Sequence, residues 1–254
     1  MKLRLHQFLS QTGAFTSKRE AKEAVWAGRI TVGNAIVKDI SYQFNPQTKV
    51  VLLDDQLLQL PVRHQTFLLN KPAGVICSRL NLHEIELGKI SVFDLFKGRL
   101  ESTEIDRLHT VGRLDEQTTG MLLVTSDGDL AHRIISPNAG ILKQYIVELT
   151  ERMDNEAMQR LRDGVVIELE ENGVVSLYPC KAESVVSQNE RSIMIGLAEG
   201  KKRQVRRMVS AVGHAVISLH RQSIGGLSIA SFHLKSGEFV QMQQSDIDAI
   251  FSQK

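Results

Sequence analysis

The sequence predicts an α+β protein in which a small α/β unit precedes a mixed, largely antiparallel sheet with flanking helices. The chain has 254 residues, 42% of them hydrophobic, which allows a sizeable core and excludes wholesale disorder. Short apolar segments of strand length alternate with helical segments, without the regular rhythm of βαβ units. Because residues 1–60 form a compact pattern of their own, the predicted domains are 1–60 and 61–254.

The small unit is predicted to contain one helix and a short sheet. Ser17 and Glu20 have the spacing of a capping box, so a helix should begin at Ser17 and end before Gly28. Positions 21, 24 and 25 would form its buried stripe. Strands are expected at 30–32, 36–37 and 50–53, with a tight turn at 33–34. Polar residues 54–56 and Pro61 indicate a linker.

The larger unit is predicted to be built from short, irregularly connected elements. The strands are Phe67–Leu69, Met121–Thr125, Tyr145–Leu149, Val174–Tyr178 and Ile193–Leu197. The helices are Gly128–Ile135, Asp154–Arg162, Arg203–Val212 and Ser245–Phe251. The first strand is expected to continue through an Asn70-Lys71-Pro72 turn into a second strand, forming a hairpin.

The net charge of +2 hides an uneven distribution of charge. Residues 1–60 contain eight Lys or Arg against five Asp or Glu, and residues 199–221 contain six against one. Such polarised positive charge is typical of an RNA-binding surface, although either segment alone could be an ordinary solvated face.

The sequence shows no sign of secretion, membrane insertion or metal binding. It lacks a signal-peptide pattern at its N-terminus and any apolar run near the roughly 20 residues that span a bilayer. Cys77 and Cys180 could pair, but reduced thiols in a cytoplasmic protein are the expectation. Because no His/Cys cluster has metal-ligand spacing and no glycine loop could cradle phosphates, neither metal nor cofactor is predicted.

Four segments contain the candidate functional residues. Gly112-Arg113-Leu114-Asp115 forms a loop before an apolar strand, where a carboxylate near cations can stay ionised and act as a nucleophile. A surface Arg–Asp pair that closes a turn is the alternative. Residues 199–213 combine a buried helical stripe at 205, 208, 209 and 212 with cations that could meet phosphates.

The other two segments contain Asn70-Lys71-Pro72 and the strand of Tyr145. Tyr145 would be an ordinary core residue, unless it lies next to a base-binding pocket, where it would stack on a base. Cys77, which follows the turn, is expected to be a small buried side chain.

Together these segments resemble the RsuA-like branch of the pseudouridine synthases, which modify ribosomal RNA. The matching runs are Asn-Lys-Pro-x-Gly at 70–74, Gly-Arg-Leu-Asp-x-x-Thr-x-Gly at 112–120 and Glu-Gly-Lys-x-Arg-Gln-x-Arg-Arg-Met at 199–208. The resemblance covers nearly the whole chain, and residues 219–226 look most like members that act on the small ribosomal subunit. Residues 1–60 resemble the RNA-binding domain of a small-subunit ribosomal protein.

The resemblance implies conversion of a uridine within an RNA chain to pseudouridine, without a cofactor. The target base would be flipped, because a stacked base cannot be reached. Asp115 would be the catalytic aspartate, acting as a nucleophile on the ribose or the uracil ring or by stabilising charge in a glycal route. Arg206 would pair with Asp115, and Tyr145 would stack on the uracil.

The resemblance also implies the substrate contacts. Arg113 would fill the space of the flipped nucleotide, while Leu123 and Val205 would supply apolar walls. The candidates for phosphate contacts are Lys71, Lys201, Lys202, Arg203 and Arg207, with Lys18, Arg19, Lys22 and Arg29 of the small unit. The protein is expected to be a monomer. Its expected partner is ribosomal RNA, either free or in a pre-ribosomal small-subunit particle.

Two other function classes compete with this interpretation. A non-catalytic RNA-binding or ribosome-assembly factor would have no need for Asp115, Tyr145 and Arg206 together. A carboxylate-based glycoside hydrolase would need a second carboxylate as general acid, and it would not explain the basic helix.

Overall fold

The computed structural model describes residues 2–46, 48–60, 64–171 and 173–252. It divides the chain into two compact units, Met1–His64 and Gln65–Lys254. Pro61, part of the predicted linker, lies outside the described residues. No helix in the described part of the chain is long and apolar enough to cross a membrane.

The described residues of the first unit form two helices and six short strands. In chain order they are β1 (Leu3–Arg4), α1 (Leu5–Thr12), α2 (Lys18–Trp26), β2 (Ile30–Val32), β3 (Ala35–Ile36), β4 (Gln43–Phe44), β5 (Val51–Leu53) and β6 (Gln56–Leu58). One antiparallel sheet has the order β3-β2-β5-β6, and β1 pairs with β4. Both helices pack on this unit's own apolar core, which includes Leu9, Val25 and Ile30.

The predicted helix of this unit is confirmed, whereas the predicted linker at 54–56 is wrong. The Ser17 hydroxyl accepts a hydrogen bond from the Glu20 backbone N–H, and the predicted stripe at 21, 24 and 25 is buried. Asp54 and Asp55 instead form a hairpin turn, with φ of 49° and 64°, and Gln56 begins β6. Asp tolerates this left-handed backbone better than most residues, so a polar pair here closes a hairpin and does not end the unit.

The second unit has six helices and thirteen strands among the residues described. They are β7 (Thr66–Lys71), β8 (Val75–Ile76), α3 (Leu82–Glu86), β9 (Ile90–Ser91), α4 (Ser102–Ile105), β10 (His109–Thr110), β11 (Thr119–Thr125), α5 (Gly128–Ile135), β12 (Lys143–Leu149), α6 (Asn155–Asp163), β13 (Val165–Glu171), β14 (Val174–Cys180), β15 (Ser184–Asn189), β16 (Ser192–Leu197), α7 (Gln204–Ala211), β17 (Val216–Ile224), β18 (Leu227–Ser228), β19 (Phe239–Gln241) and α8 (Gln244–Phe251).

A nine-stranded sheet is the centre of this unit. It is mixed and largely antiparallel, as the sequence predicted. Its main order is β15-β16-β12-β17-β11-β7-β19, and every pair in it is antiparallel except β11 with β17. Because side chains alternate along β11, Leu122 packs with α6 and α7 on one face, whereas Leu123 packs with α5 and α8 on the other. The functional residues discussed below belong to the face of Leu122.

Gly120 allows the central parallel pair to form. Thr119 and Gly120 of β11 pair with His220 and Arg221 of β17. A Cβ atom on Gly120 would lie 2.4 Å from the carbonyl oxygen of Arg221, and the φ of Gly120 is +99°. Only glycine fits this close approach, which brings the loop before β11 next to the middle of β17.

Three features of this unit were not predicted correctly. The segment after Lys71 does not form a hairpin with β7, because β11 and β19 occupy both edges of β7; β8 pairs instead with β9, in parallel. The long strand β17 was missed, since its run His220-Arg221-Gln222-Ser223 is polar yet central. Strands β13 and β15 were also missed. Cys77 and Cys180 are buried and unpaired, as expected.

Candidate active site

A cleft of about 480 Å³ opens on the Leu122 face of the sheet. One wall is the loop 112–118, the opposite wall is the segment 199–205, and single residues of β12, β16 and β17 lie between them. The predicted site residues that line this cleft are Arg113, Asp115, Tyr145, Lys201, Lys202, Arg203 and Val205. The fold thus brings together residues up to 92 positions apart in the sequence.

Lys71 holds the first wall from beneath. Its ammonium donates hydrogen bonds to the backbone carbonyls of Pro72, Glu116 and Thr118 at 2.9, 3.0 and 2.9 Å. Lys71 is fully buried, and this burial lowers its pKa. The prediction that Lys71 contacts an RNA phosphate is therefore wrong, because three carbonyls satisfy its donors away from solvent.

Cys77 and Gly74 hold the same loop from the side. The Cys77 thiol donates to the carbonyl of Leu114 at 3.3 Å and accepts from its N–H at 3.4 Å. The N–H of Gly74 donates to the carbonyl of Glu116 at 2.9 Å. Burial raises the pKa of the Cys77 thiol, so it remains protonated and suited to donate. These contacts flank Asp115 on both sides and fix its backbone.

Asp115 is half-buried at the cleft, but its predicted pairing with Arg206 is not formed. No salt bridge joins them within the described residues, and the Arg206 guanidinium donates instead to the carbonyl of Val216 at 3.2 Å. Arg206 lies on the side of α7 that faces β13, whereas Gln204 and Val205 face the cleft. The exposed side chain of Arg113 lies at the cleft rim beside Asp115.

Tyr145 lies both in the core and at the cleft, so its stacking on a base stays a prediction. The residue is only 8% exposed and packs in the core, yet it lines the cleft. Val205 forms an apolar wall as predicted, together with Leu197 and Leu219. Leu123 does not, because its side chain points into the core on the opposite face of the sheet. Leu114, one residue before Asp115, also lines the cleft, although it was not among the predicted site residues.

A partly buried hydrogen-bond network holds the second wall. The Tyr178 hydroxyl donates to Glu199 at 2.6 Å, and the Gln204 side-chain amide donates to the same carboxylate at 2.5 Å. The Gln204 carbonyl oxygen accepts from the N–H of Lys201 at 2.9 Å. The hydrogen bond to Glu199 raises the pKa of Tyr178. Glu199 and Gln204 belong to the motif at 199–208, but their anchoring role was not predicted.

The other carboxylates of the cleft are poorly suited to act as general acids. Glu116 forms an ion pair with Lys89 at 2.6 Å, and Glu199 accepts the two hydrogen bonds described above. Both carboxylates are thus already engaged by partners in the protein, whereas a glycoside hydrolase needs a carboxyl that is free to face the bond across from its nucleophile. The geometry therefore disfavours the hydrolase alternative.

Two further cations lie on the strands around Tyr145. Arg221 is 3% exposed and is the β17 partner of Tyr145; its Nε donates to the carbonyl of Met121 at 2.7 Å. Its Nη2 atom is buried without a hydrogen-bond partner in the described part of the chain. Burial, with the nearby charge of Arg221, lowers the pKa of Lys143 to about 8. Neither Arg221 nor Lys143 was predicted as a site residue.

The remaining cationic candidates lie outside the cleft. Arg207 donates to the backbone carbonyl of Glu168 on β13. Lys18, Arg19, Lys22 and Arg29 are all exposed on the small unit. Arg19 pairs with Glu23, Arg29 pairs with Asp54, and the Lys22 ammonium lies 4.4 Å from the centre of the Trp26 ring. No group of three His, Cys, Asp or Glu in the described ranges is placed to hold a metal ion.

Comparison with known proteins agrees with this geometry. Residues 65–211 match the RNA pseudouridylate synthase family, and residues 3–50 match the S4 domain. A Yersinia pestis protein named ribosomal small subunit pseudouridine synthase A is 32% identical, covering 98% of each chain. An Arabidopsis thaliana protein named as a putative chloroplastic ribosomal large subunit pseudouridine synthase is 30% identical, covering 97% of this chain and 60% of its own.

A solved structure is similar over the same range. It is the crystal structure of a pseudouridylate synthase, with a TM-score of 0.64 and 28% identity, and the match covers 98% of this chain and 99% of that one. The match of the family model extends over more than half of the chain and includes both Asp115 and Tyr145. The chain therefore belongs to the RNA pseudouridylate synthase family, and it has an S4 domain at residues 3–50.

Proposed function

We propose that this enzyme converts a uridine of small-subunit ribosomal RNA to pseudouridine, with Asp115 as the catalytic residue. The observation that carries the proposal is the position of Asp115 in a firmly held loop, within the same cleft as Tyr145. Both relatives described above are named for a ribosomal subunit, the small subunit for the Yersinia pestis protein and the large subunit for the Arabidopsis thaliana protein. The support for the small subunit is the name of the Yersinia pestis relative.

In the proposed reaction, the bond between N1 of uracil and C1′ of ribose breaks, and the uracil turns within the cleft. A bond then forms between C5 and C1′, C5 loses its proton, and N1 gains one, so the product is an isomer of the substrate. The Asp115 carboxylate would attack the ribose or the uracil ring, or stabilise the charge of a glycal route. Meanwhile Tyr145 and Val205 would hold the free uracil by stacking and apolar contact.

The cations around Tyr145 fit this chemistry. When the N1–C1′ bond breaks, the uracil carries away the bonding electrons and becomes negatively charged. Fixed positive charge in a site with little water stabilises such an anion without reorganisation. Arg221 and Lys143 do not line the cleft and would provide this charge from the strand of Tyr145 and its neighbour β17.

Base flipping is part of the proposal. The cleft volume of about 480 Å³ suits one nucleotide better than a duplex, so the target must leave its stack. The exposed Arg113 at the rim would occupy the space that the nucleotide leaves. Lys201, Lys202 and Arg203 would contact the flanking phosphates. The S4 domain would bind RNA through Lys18, Arg19, Lys22 and Arg29, and the enzyme would act as a cytoplasmic monomer on free ribosomal RNA or on an assembling particle.

The test is to map pseudouridine in small- and large-subunit ribosomal RNA after incubation with the enzyme, with Asp115→Asn and with Glu116→Gln. Glu116→Gln is the matched control, because it removes a neighbouring carboxylate from the same loop. We expect Asp115→Asn to be at least about 10³-fold slower with RNA affinity unchanged, and Glu116→Gln to retain most of the rate. Modification by Asp115→Asn at a rate close to that of the unmodified enzyme would overturn the assignment of the aspartate. Modification of large-subunit RNA alone would overturn the assignment of the subunit.

A further inference from the structure

A second groove, of about 520 Å³, lies between α7 and the hairpin formed by β13 and β14. One side is formed by Arg203, Arg206, Arg207, Ser210 and Ala211. The facing side is formed by Val166, Ile167, Glu168, Glu170 and Val175. The uridine-binding role proposed above leaves this groove unused.

Arg203 connects the groove with the catalytic cleft, because it lines both. Its backbone has φ +55° and ψ +29°, a left-handed conformation that is unfavourable for a residue with a long side chain. Strained backbone of this kind is retained where the surroundings and a function require it. The guanidinium makes no hydrogen bond or ion pair within the described ranges, so its donors are available to a ligand.

The α7 side of the groove is positively charged. The guanidinium of Arg206 donates to the backbone carbonyl of Val216, and that of Arg207 donates to the backbone carbonyl of Glu168. Because backbone carbonyls carry no net charge, these hydrogen bonds do not neutralise the two arginines. No salt bridge joins Arg203, Arg206 or Arg207 to a carboxylate in the part of the chain that the structure describes.

The hairpin side of the groove combines apolar and acidic side chains at its surface. Val166 and Val175 are 56% and 61% exposed, and Glu168 and Glu170 are exposed beside them. The apolar contacts of this side are therefore the two valines, and its glutamates oppose the arginines of α7. A single RNA strand has matching chemistry, since its phosphates can face arginines while its bases and riboses face apolar side chains.

We propose that this groove binds the single-stranded RNA that leaves the catalytic cleft on one side of the target uridine. The phosphates lie toward Arg206 and Arg207, the bases lie toward Val166 and Val175, and Arg203 contacts the phosphate at the junction. This assignment rests on the proposed function, because it extends the same RNA substrate beyond the cleft. It also gives Arg206 a different role from the pairing with Asp115 that the sequence predicted.

The test compares two single substitutions on the hairpin. Val175→Glu introduces a negative charge into the groove, and Val174→Glu introduces the same charge one residue away, at a 67% exposed position that does not line it. The probes are 5′-fluorescein oligouridylates of three and nine nucleotides, and affinity is measured by fluorescence anisotropy on the full chain. Thermal melting shows that both variants are folded.

We expect Val175→Glu to weaken binding of the nine-nucleotide RNA about tenfold, with binding of the three-nucleotide RNA unchanged, because only the longer strand reaches the groove. Val174→Glu should leave both affinities within about twofold. As an independent test, Glu170→Lys should strengthen binding of the longer RNA. Equal losses for both valine variants, or no gain from Glu170→Lys, would overturn the groove assignment.

Failure of this proposal can be told apart from failure of the proposed function. If the unmodified enzyme makes pseudouridine in ribosomal RNA but the two valine variants bind RNA alike, the groove assignment alone is wrong. If the unmodified enzyme makes no pseudouridine in ribosomal RNA, the proposed function is wrong, whatever the binding data show.

Discussion

At the scale of single residues, Lys71 braces the loop of Asp115 from inside the fold. Its ammonium is surrounded by three backbone carbonyls, two of which belong to residues on the C-terminal side of Asp115. A hydrogen bond from a charged donor is worth more than a neutral one, and each buried carbonyl left without a donor costs free energy. The position of the Asp115 loop therefore depends on a buried cation.

Replacing this lysine should destabilise the fold far more than replacing a neighbouring lysine that also contacts Glu116. We expect Lys71→Met to lower the free energy of unfolding by about 3 kcal/mol, because three carbonyls lose their donor. Lys89→Met breaks only the half-exposed ion pair with the Glu116 carboxylate and should cost less than about 1 kcal/mol. Urea unfolding of both variants measures the difference, and similar losses would contradict the bracing role.

At the scale of the elements, the parallel pairing of β11 with β17 depends on Gly120. We expect Gly120→Ala to lower the free energy of unfolding by about 3 kcal/mol or more, since the new Cβ meets the backbone of Arg221. Gly213→Ala is the matched control, because Gly213 has a similar φ of +90° but no atom within 4 Å of its would-be Cβ. It should cost only the backbone strain, about 1 kcal/mol. Comparable losses would show that the close approach is not the cause.

How much could be predicted from the sequence also depended on the element. Helix α2 and the buried stripe of α7 were predicted well, because caps and apolar spacing are local signals. Strand β17 was missed because two irregularities in its pairing with β12 and the polar residues in its middle conceal its alternation. The contact of Tyr178 with Glu199 spans 21 residues and two elements, so no local pattern could indicate it.

At the site, too, local motifs could be recognised in the sequence, whereas the direction of a side chain in the fold could not. Asp115, Tyr145 and Val205 were identified by motif, and all three line one cleft. The sequence could not show which way a side chain points, so Leu123 was assigned to the wrong face of the sheet and Lys71 to the surface.

At the scale of the whole molecule, two units divide the chain. The apolar core of the first unit consists of residues up to 60, and the cores of the second begin at residue 67. Each unit therefore has its own hydrophobic core and should fold without the other.

Deleting residues 1–64 should consequently weaken substrate binding more than it slows the reaction. We expect the affinity for ribosomal RNA to fall at least about tenfold, because one of two linked binding modules is lost. The single-turnover rate at saturating RNA should change less than about twofold, because the cleft lies within residues 76–219. Unchanged affinity would remove the proposed role of the S4 domain in binding the substrate.

The two walls of the cleft differ in how they are held, and this difference determines where the enzyme can adapt to its RNA. The Asp115 loop is fixed by backbone contacts from Lys71, Gly74 and Cys77. The facing segment 199–203 depends on side-chain hydrogen bonds that meet at Glu199. We therefore expect a change of target sequence to be accommodated on the second wall, where altered side chains leave the geometry of Asp115 intact. Efforts to redirect this enzyme to another uridine should begin there.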